Sequence, residues 1–291
     1  MQIDGFDIEA IAQTFFIIRN TLACNIGVAV SGDRALIIDS GNLPSVSAGI
    51  IRYVEQRLSK HVDLLFNTHY HSDHTFGNQS FTCPILASRV CRDTMQACLS
   101  THWNENEIEQ AKKENPKLVE EWKDLRITFP TQTFEDELEY DFHGLNIAFR
   151  KLGGHSPDSS IAYFPDYRLA FAGDLVFAGL YPTLLLHDGN PLELIAASRT
   201  LIGMELDIII PGHGVTCDIR TVKKLIDYWT CLVLTSREAI VLGLKDDEAI
   251  RYVRDRCIMP DVPPNERKQN GNAAAVLRFL GTKEAGSASG G

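Results

Sequence analysis

No apolar run in the chain is long enough to cross a bilayer. The longest, such as "LDIIIP" and "ALIID", fall far short of the roughly 20 residues a spanning helix needs. Positive charge is also scarce: 28 Lys and Arg face 38 Asp and Glu, giving a formal net charge of -10 over 291 residues. Such a balance argues against binding a phosphate backbone, so no nucleic-acid partner is expected, and the short apolar runs leave no membrane partner expected. The opening "MQIDGFDIEAIAQ" carries acids and no basic stretch, so it does not read as a secretory signal, and the expected compartment is cytoplasmic. No CxxC pair occurs among the seven cysteines, Cys24, Cys83, Cys91, Cys98, Cys217, Cys231 and Cys257. In such a chain most are expected to be buried thiols. Cys91 and Cys98, seven apart, fit one face of a helix.

No Pro/Gly-rich linker divides the chain, and no internal repeat can be demonstrated from single residues. A single domain over 1–282 is expected, with a helical insertion at about 89–125 as a candidate lid and a disordered tail at 283–291. "FFIIR", "CNIGVAV" and "ALIIDSG" read as strands of an antiparallel meander, the last ending in Asp39. Residues 45–58 carry Ile50, Ile51, Val54 and Leu58 at helical spacing. "VDLLFNT" is nearly continuous in apolar residues, the pattern of a strand buried on both faces. The insertion is polar and helical, broken at Pro116, with Trp103, Ile108, Leu118 and Trp122 as an apolar stripe for helix packing. Strands follow across 127–150, then the loop "LGGHSPDSS", a hairpin around Asp166–Arg168, a helix at 191–204, the strand "LDIIIPGHG" and a long helix from Thr221.

Polar residues concentrate where these apolar strands stop. "NTHYHSDHTFGN" places His69, His71, Asp73 and His74 just after "VDLLF", the strand end at which open α/β sheets usually place their sites. Of nine histidines, two more stand in glycine-rich loops: His155 in "LGGHSPDS" and His213 in "IIPGHGVT". Asp174 sits in "FAGDLVF". In extended chain, residues i and i+2 point to one side, so His69 and His71 can share one ion. Asp73 and His74 fall where the chain turns and face a second position. Imidazole and carboxylate donors suit zinc, iron or manganese. Taken alone, the motif is compatible with a hydrogen-bonded polar loop, one metal or two. Seven candidates exceed one tetrahedral ion and suffice for two with a solvent bridge.

Five strings, in order, resemble the metallo-β-lactamase fold superfamily: "LIIDSG" (36–41), "THYHSDH" (68–74), "GGHSPDSS" (153–160), "FAGD" (171–174) and "PGHG" (211–214). The resemblance is to its lactamase-like and glyoxalase II-like dinuclear metallohydrolase branch and covers nearly the whole chain. It implies an α/β fold, a four-layer αββα sandwich with metals at one edge of the paired sheets. It also implies that His69, His71 and His155 hold a first ion, that Asp73, His74 and His213 hold a second, and that Asp174 bridges them. Asp39 would orient the histidine loop.

The implied cofactor is two divalent ions, zinc before iron or manganese. The implied activity is a hydrolase in which metal-bound hydroxide attacks a carbonyl (ester, thioester, lactone or lactam) of a small molecule, with Asp73 orienting the hydroxide and taking its proton. The well-known lactamases carry Cys where Asp174 stands and often Lys three residues later, where this chain has Phe177. A dedicated lactamase is therefore not expected. Rival readings are an iron oxidoreductase on the same fold, a lyase using the same metals and, less favoured, a nuclease. Phe177 and Tyr181 are candidate substrate contacts, Tyr181 as donor to a developing oxyanion. Ser156 and Asp158 fit either ligand orientation or loop capping, His187 a structural role, and Arg267 with Lys268 a solvated charge pair. A monomer or homodimer is expected.

Overall fold

The computed structural model describes residues 2–3, 6–19, 21 and 23–288, the side chains of 2–3 and 283–288 excepted. The chain divides into two compact units, Met1–Lys151 with Ser160–Gly173, and Leu152–Ser159 with Asp174–Gly291.

In the first unit, apolar alternation builds an eight-stranded sheet in chain order. It runs through β1 (Gln2–Ile3), β2 (Phe6–Ile11), β3 (Phe15–Arg19), β4 (Ile26–Ser31), β5 (Arg34–Ile38), β6 (His61–Phe66), β7 (Ile85–Ser88) and β8 (Gln132–Phe134). The strands up to β5 pair antiparallel, as the meander reading expects. From β5 onward the pairing is parallel, which needs crossovers. Helix α1 (Pro44–Gln56) supplies the first, with Pro at its start and Ile50, Tyr53 and Val54 buried. Parallel strands end at the same edge, so the C-termini of β5 and β6 lie side by side: Asp39 N donates to Phe66 O at 2.8 Å. β2 was not anticipated, although Phe6, Ile8 and Ala10 alternate with Asp7 and Glu9.

A second sheet begins in the same unit with β9 (Glu137–Phe142), β10 (Leu145–Lys151), β11 (Ser160–Phe164) and the first half of β12 (Leu169–Ala178), all antiparallel neighbours. Aromatic side chains join the two sheets: Phe15 meets Phe164 edge-on at 4.8 Å, and Phe66 meets Phe149 at 4.5 Å between ring centroids. Each such ring is fully buried, and truncating one to Ala costs about 3–5 kcal/mol.

After the one-turn helix α2 (Ser72–Thr75) in the histidine motif, the insertion forms α3 (Arg89–Cys98), α4 (Glu105–Glu114) and α5 (Lys117–Glu121). Ser88 caps α3 by accepting from Cys91 N at 3.1 Å. Cys91 and Cys98 are buried in one cluster with Tyr70, Phe76, Trp103 and Trp122. Both tryptophans meet the Phe76 ring edge-on, at 5.1 and 5.2 Å, and Trp122 Nε1 donates to Asn42 O at 3.0 Å. The insertion thus packs against the residues that flank the histidine motif.

The second unit holds the other half of β12, its sheet neighbour β13 (Ile208–Gly214), and helices α6 (Pro191–Gly203), α7 (Ile219–Val241), α8 (Asp246–Arg256) and α9 (Glu266–Ala288). Of the tail expected to be disordered, 283–288 lie within the span of α9 and 289–291 lie outside the described residues. Five of the seven cysteines are free thiols, three of them buried; the other two are paired. Cys231 on α7 and Cys257 at the end of α8 form a disulfide, with Cα atoms 5.7 Å apart. Packing of α8 on α7 creates that proximity across 26 residues of sequence, which spacing alone cannot reveal. Among the described residues no helix is long and apolar enough to cross a membrane.

Candidate metal centre

In the first unit the histidine motif is held from below by Asp39. Asp39 is 1% exposed and adopts φ 64°, a left-handed conformation that Asp tolerates better than most residues. Its carboxylate accepts from Thr68 N (2.8 Å), Thr68 Oγ1 (2.8 Å) and His74 Nδ1 (2.8 Å). Thr68 Oγ1 in turn lies 3.1 Å from His69 Nδ1. Each Nδ1–H therefore has a fixed acceptor, and the unprotonated Nε2 of His69 and His74 is the atom able to ligate a metal. Backbone bonds tie the loop down as well: Ser40 N donates to His74 O at 2.9 Å, and Thr75 Oγ1 donates to Tyr70 O at 3.0 Å.

His69 Nε2 and His71 Nδ1 lie 3.0 Å apart, and His74 Nε2 and Asp73 Oδ2 lie 3.7 Å apart. Two donors on a tetrahedral ion with bonds near 2.05 Å are about 3.4 Å apart. These pairs bracket that spacing. Cys24, not singled out in the sequence, has its sulfur within 4.8 Å of donor atoms of Asp39 and His74. Burial pushes its pKa up to about 12 against the opposing pull of His74, so it packs there as a neutral thiol.

The second unit presents His155, Asp174 and His213. Asp174 Oδ2 stands 3.5 Å from His155 Nε2 and 3.5 Å from His213 Nε2, again a donor–donor spacing that fits a shared ion. His155 Nδ1 donates to Thr183 O at 3.0 Å, which turns Nε2 toward Asp174. Its loop closes on itself through Leu152 N to Ser159 O (2.8 Å), Ser156 N to Ser159 Oγ (3.0 Å) and Ser156 Oγ to Asp158 Oδ1 (2.6 Å). Ser156 and Asp158 therefore serve loop closure. Asn190 N donates to Gly154 O at 2.8 Å, and Asn190 caps α6 by accepting from Leu192 N and Glu193 N at 3.1 and 3.2 Å.

The Phe177 ring lies parallel to the His213 imidazole, 5.4 Å away at 9°. Tyr181, the expected oxyanion donor, is tied to the segment that leads into α9. It is 3% exposed, and its hydroxyl accepts from Met259 N at 2.9 Å and Gln269 Nε2 at 3.2 Å. The phenol is engaged in holding the start of α9, an arrangement that needs long-range packing to appear. His187 Nε2 is 3.7 Å from Asp188 Oδ1 and its side chain is 40% exposed. Lys268, set aside in the sequence as surface, donates Nζ to Tyr181 O at 2.9 Å and stands 5.3 Å over the Phe177 ring. The donor sets of both units thus suit divalent metal.

Comparison with known proteins agrees. The family described as the metallo-beta-lactamase superfamily matches residues 19–213, well over half of the chain. The chain belongs to that superfamily, with its αββα class of α/β fold. Among curated proteins it is 22% identical over 209 residues to a linear primary-alkylsulfatase of Pseudomonas sp., covering 62% of this chain and 39% of that protein. It is 23% identical over 193 residues to a hydroxyacylglutathione hydrolase of Brucella anthropi, covering 66% of this chain and 62% of the relative. The chain thus spans less than two thirds of the length of either relative. Among solved structures, the metallo-beta-lactamase from Pontibacter korlensis aligns with TM-score 0.61 at 16% identity, over 77% of this chain and 99% of that one. The sec-alkylsulfatase Pisa1 from Pseudomonas sp. aligns with TM-score 0.73 at 12% identity, over 94% of this chain and 50% of its own. At these identities the structures speak for fold alone.

Proposed function

We propose that the chain is a dinuclear metal-dependent hydrolase acting on an ester, thioester, lactone or lactam of a small molecule. The carrying observation is that, in each unit, ligand histidines have one ring nitrogen fixed by a protein acceptor and the other presented to a partner donor. The order of the motifs supports one ligand set of His69, His71, Asp73, His74, His155, Asp174 and His213 for two ions, zinc being favoured by the imidazole-rich donors. Divalent ions held by these residues would supply an acidified water and polarisation of the scissile bond.

The protein's own residues do the rest. Asp39 and Thr183 O keep His74 and His155 in one tautomer and one orientation. The Asp73 carboxylate, partly exposed beside His74, orients the attacking water and takes its proton on an Oδ atom. Phe177 covers one face of His213 and excludes water from that side. Oxidoreductase and lyase chemistry on the same fold are the rival outcomes of the test. A second reading, sulfate-ester hydrolysis, is favoured by the alkylsulfatase relative.

The test is a panel of a small ester, a thioester, a lactone, a β-lactam and an alkyl sulfate, assayed before and after chelation with exhaustive dialysis. Hydrolysis that disappears on chelation and returns with zinc is expected. Full activity in the metal-free protein would overturn the proposal, as would oxygen consumption with no hydrolysis.

A further inference from the structure

In the second unit a cavity of about 420 Å³ opens between the 183–186 segment and the first turns of α9. Its walls include Leu184, Leu185 and Leu186 on one side and Asn265, Arg267 and Lys268 on the other. Among the described residues no carboxylate lines it, although acids outnumber bases by 38 to 28 in the chain. Among the described residues Arg267 has no ion-pair partner. Its neighbour Glu266 is held by Arg254 at 2.8 Å, so the nearest acid on the helix is already neutralised.

This cavity is wired to the metal-ligand set. Asn272, 1% exposed, donates Nδ2 to Pro182 O at 3.0 Å and accepts from Leu184 N at 2.9 Å. Lys268 Nζ donates to Tyr181 O at 2.9 Å. The segment fixed by these bonds carries Thr183, whose carbonyl accepts from His155 Nδ1 at 3.0 Å. Lys268 also stands over Phe177, which is stacked on His213. Lys268, the leucine wall and His155 therefore meet on the 181–186 backbone, and the Phe177 ring lies between Lys268 and His213.

We infer that this cavity recognises an amphiphilic anion, its oxyanion head (carboxylate or sulfate) on Arg267 and Lys268 and its aliphatic chain along Leu184–Leu186. Guanidinium and ammonium donors form charge-assisted bonds to such heads, and three leucines bury an aliphatic chain. The identification of that anion as substrate rests on the hydrolase reading; the binding itself does not.

The experiment is calorimetric titration of the metal-stripped full-length chain with decyl sulfate, decanoate and decanol, each below its micelle concentration. One anion per chain is expected, with decanol weaker by about tenfold or more, the loss of one charge-assisted contact. Arg267→Gln should weaken anion binding about tenfold and Arg267→Glu should abolish it. Arg267 is exposed and makes no bond the fold needs, and Lys268→Arg should keep affinity where Lys268→Met loses it. Binding of only one of the two anions identifies the head and supports the site. Equal binding of decanol, many anions per chain, or indifference to Arg267→Glu would overturn it. Failure of the substrate panel with anion binding intact would sink the hydrolase reading alone.

Discussion

Asp39 Oδ2 accepts the Nδ1 proton of His74 at 2.8 Å, and the same carboxylate carries Thr68 through two further bonds of 2.8 Å. One buried residue thus anchors both ends of the histidine loop, at Thr68 and at His74. Replacing it with Ala removes the acceptor and leaves a polar cavity. Metal affinity should fall about 10–100-fold, read by competition with a chromophoric chelator. Unchanged affinity would show that His74 needs no orienting partner.

Gly154 precedes His155 and adopts φ +106°, and an added Cβ would lie 2.6 Å from Leu194 Cα. That contact is with backbone and cannot swing away. Gly154→Ala should cost about 2–4 kcal/mol in urea unfolding and displace His155 from Asp174. A variant with full stability would mean that the loop has room the structure does not show.

Asp63 links strands and loops of the first unit: Oδ1 accepts from Arg34 at 3.1 Å and His61 at 2.9 Å, and Oδ2 from His143 at 2.9 Å. Burial works to raise its pKa, but the bonds from Arg34 and His143 outweigh it and the net shift is downward. A lowered folded-state pKa gives stability that is present above the ordinary carboxylate range and is lost as pH falls through the lowered value. Asp63→Asn should therefore cost about 0.5–1 kcal/mol near neutral pH. The gap between the two melting curves should close below about pH 4. A gap that persists at low pH would point to packing instead.

How much of this could be read in advance depended on whether a residue's partner was local. The β6 strand and the motif after it were legible because an apolar run stops abruptly at four metal-competent residues. Asp39 was legible as the end of a strand in a recurring string. β2 is less legible because Asp7 and Glu9 lower its apolar content, although Phe6, Ile8 and Ala10 alternate with them. Tyr181 and Lys268 could not be read, because 87 residues of chain separate partners that share one hydrogen bond. The acceptor of His155 is a main-chain carbonyl, that of Thr183, and carries no side-chain signature at all.

The Cys231–Cys257 disulfide closes a loop of 26 residues. A cross-link of that span stabilises by about 2–4 kcal/mol. Thermal melts with and without a phosphine reductant should differ accordingly, and Cys231→Ala should abolish the difference. Identical melts would show that the bridge contributes nothing.

The most direct test of the two-metal centre is metal content by mass spectrometry on the reconstituted protein and its His155→Ala and His213→Ala variants, paired with hydrolysis rates on the same samples. Two ions per chain are expected, falling toward one in each variant as hydrolysis drops by orders of magnitude. One ion or fewer in the unaltered chain, with His213→Ala indistinguishable from it in both metal and rate, would contradict the dinuclear assignment.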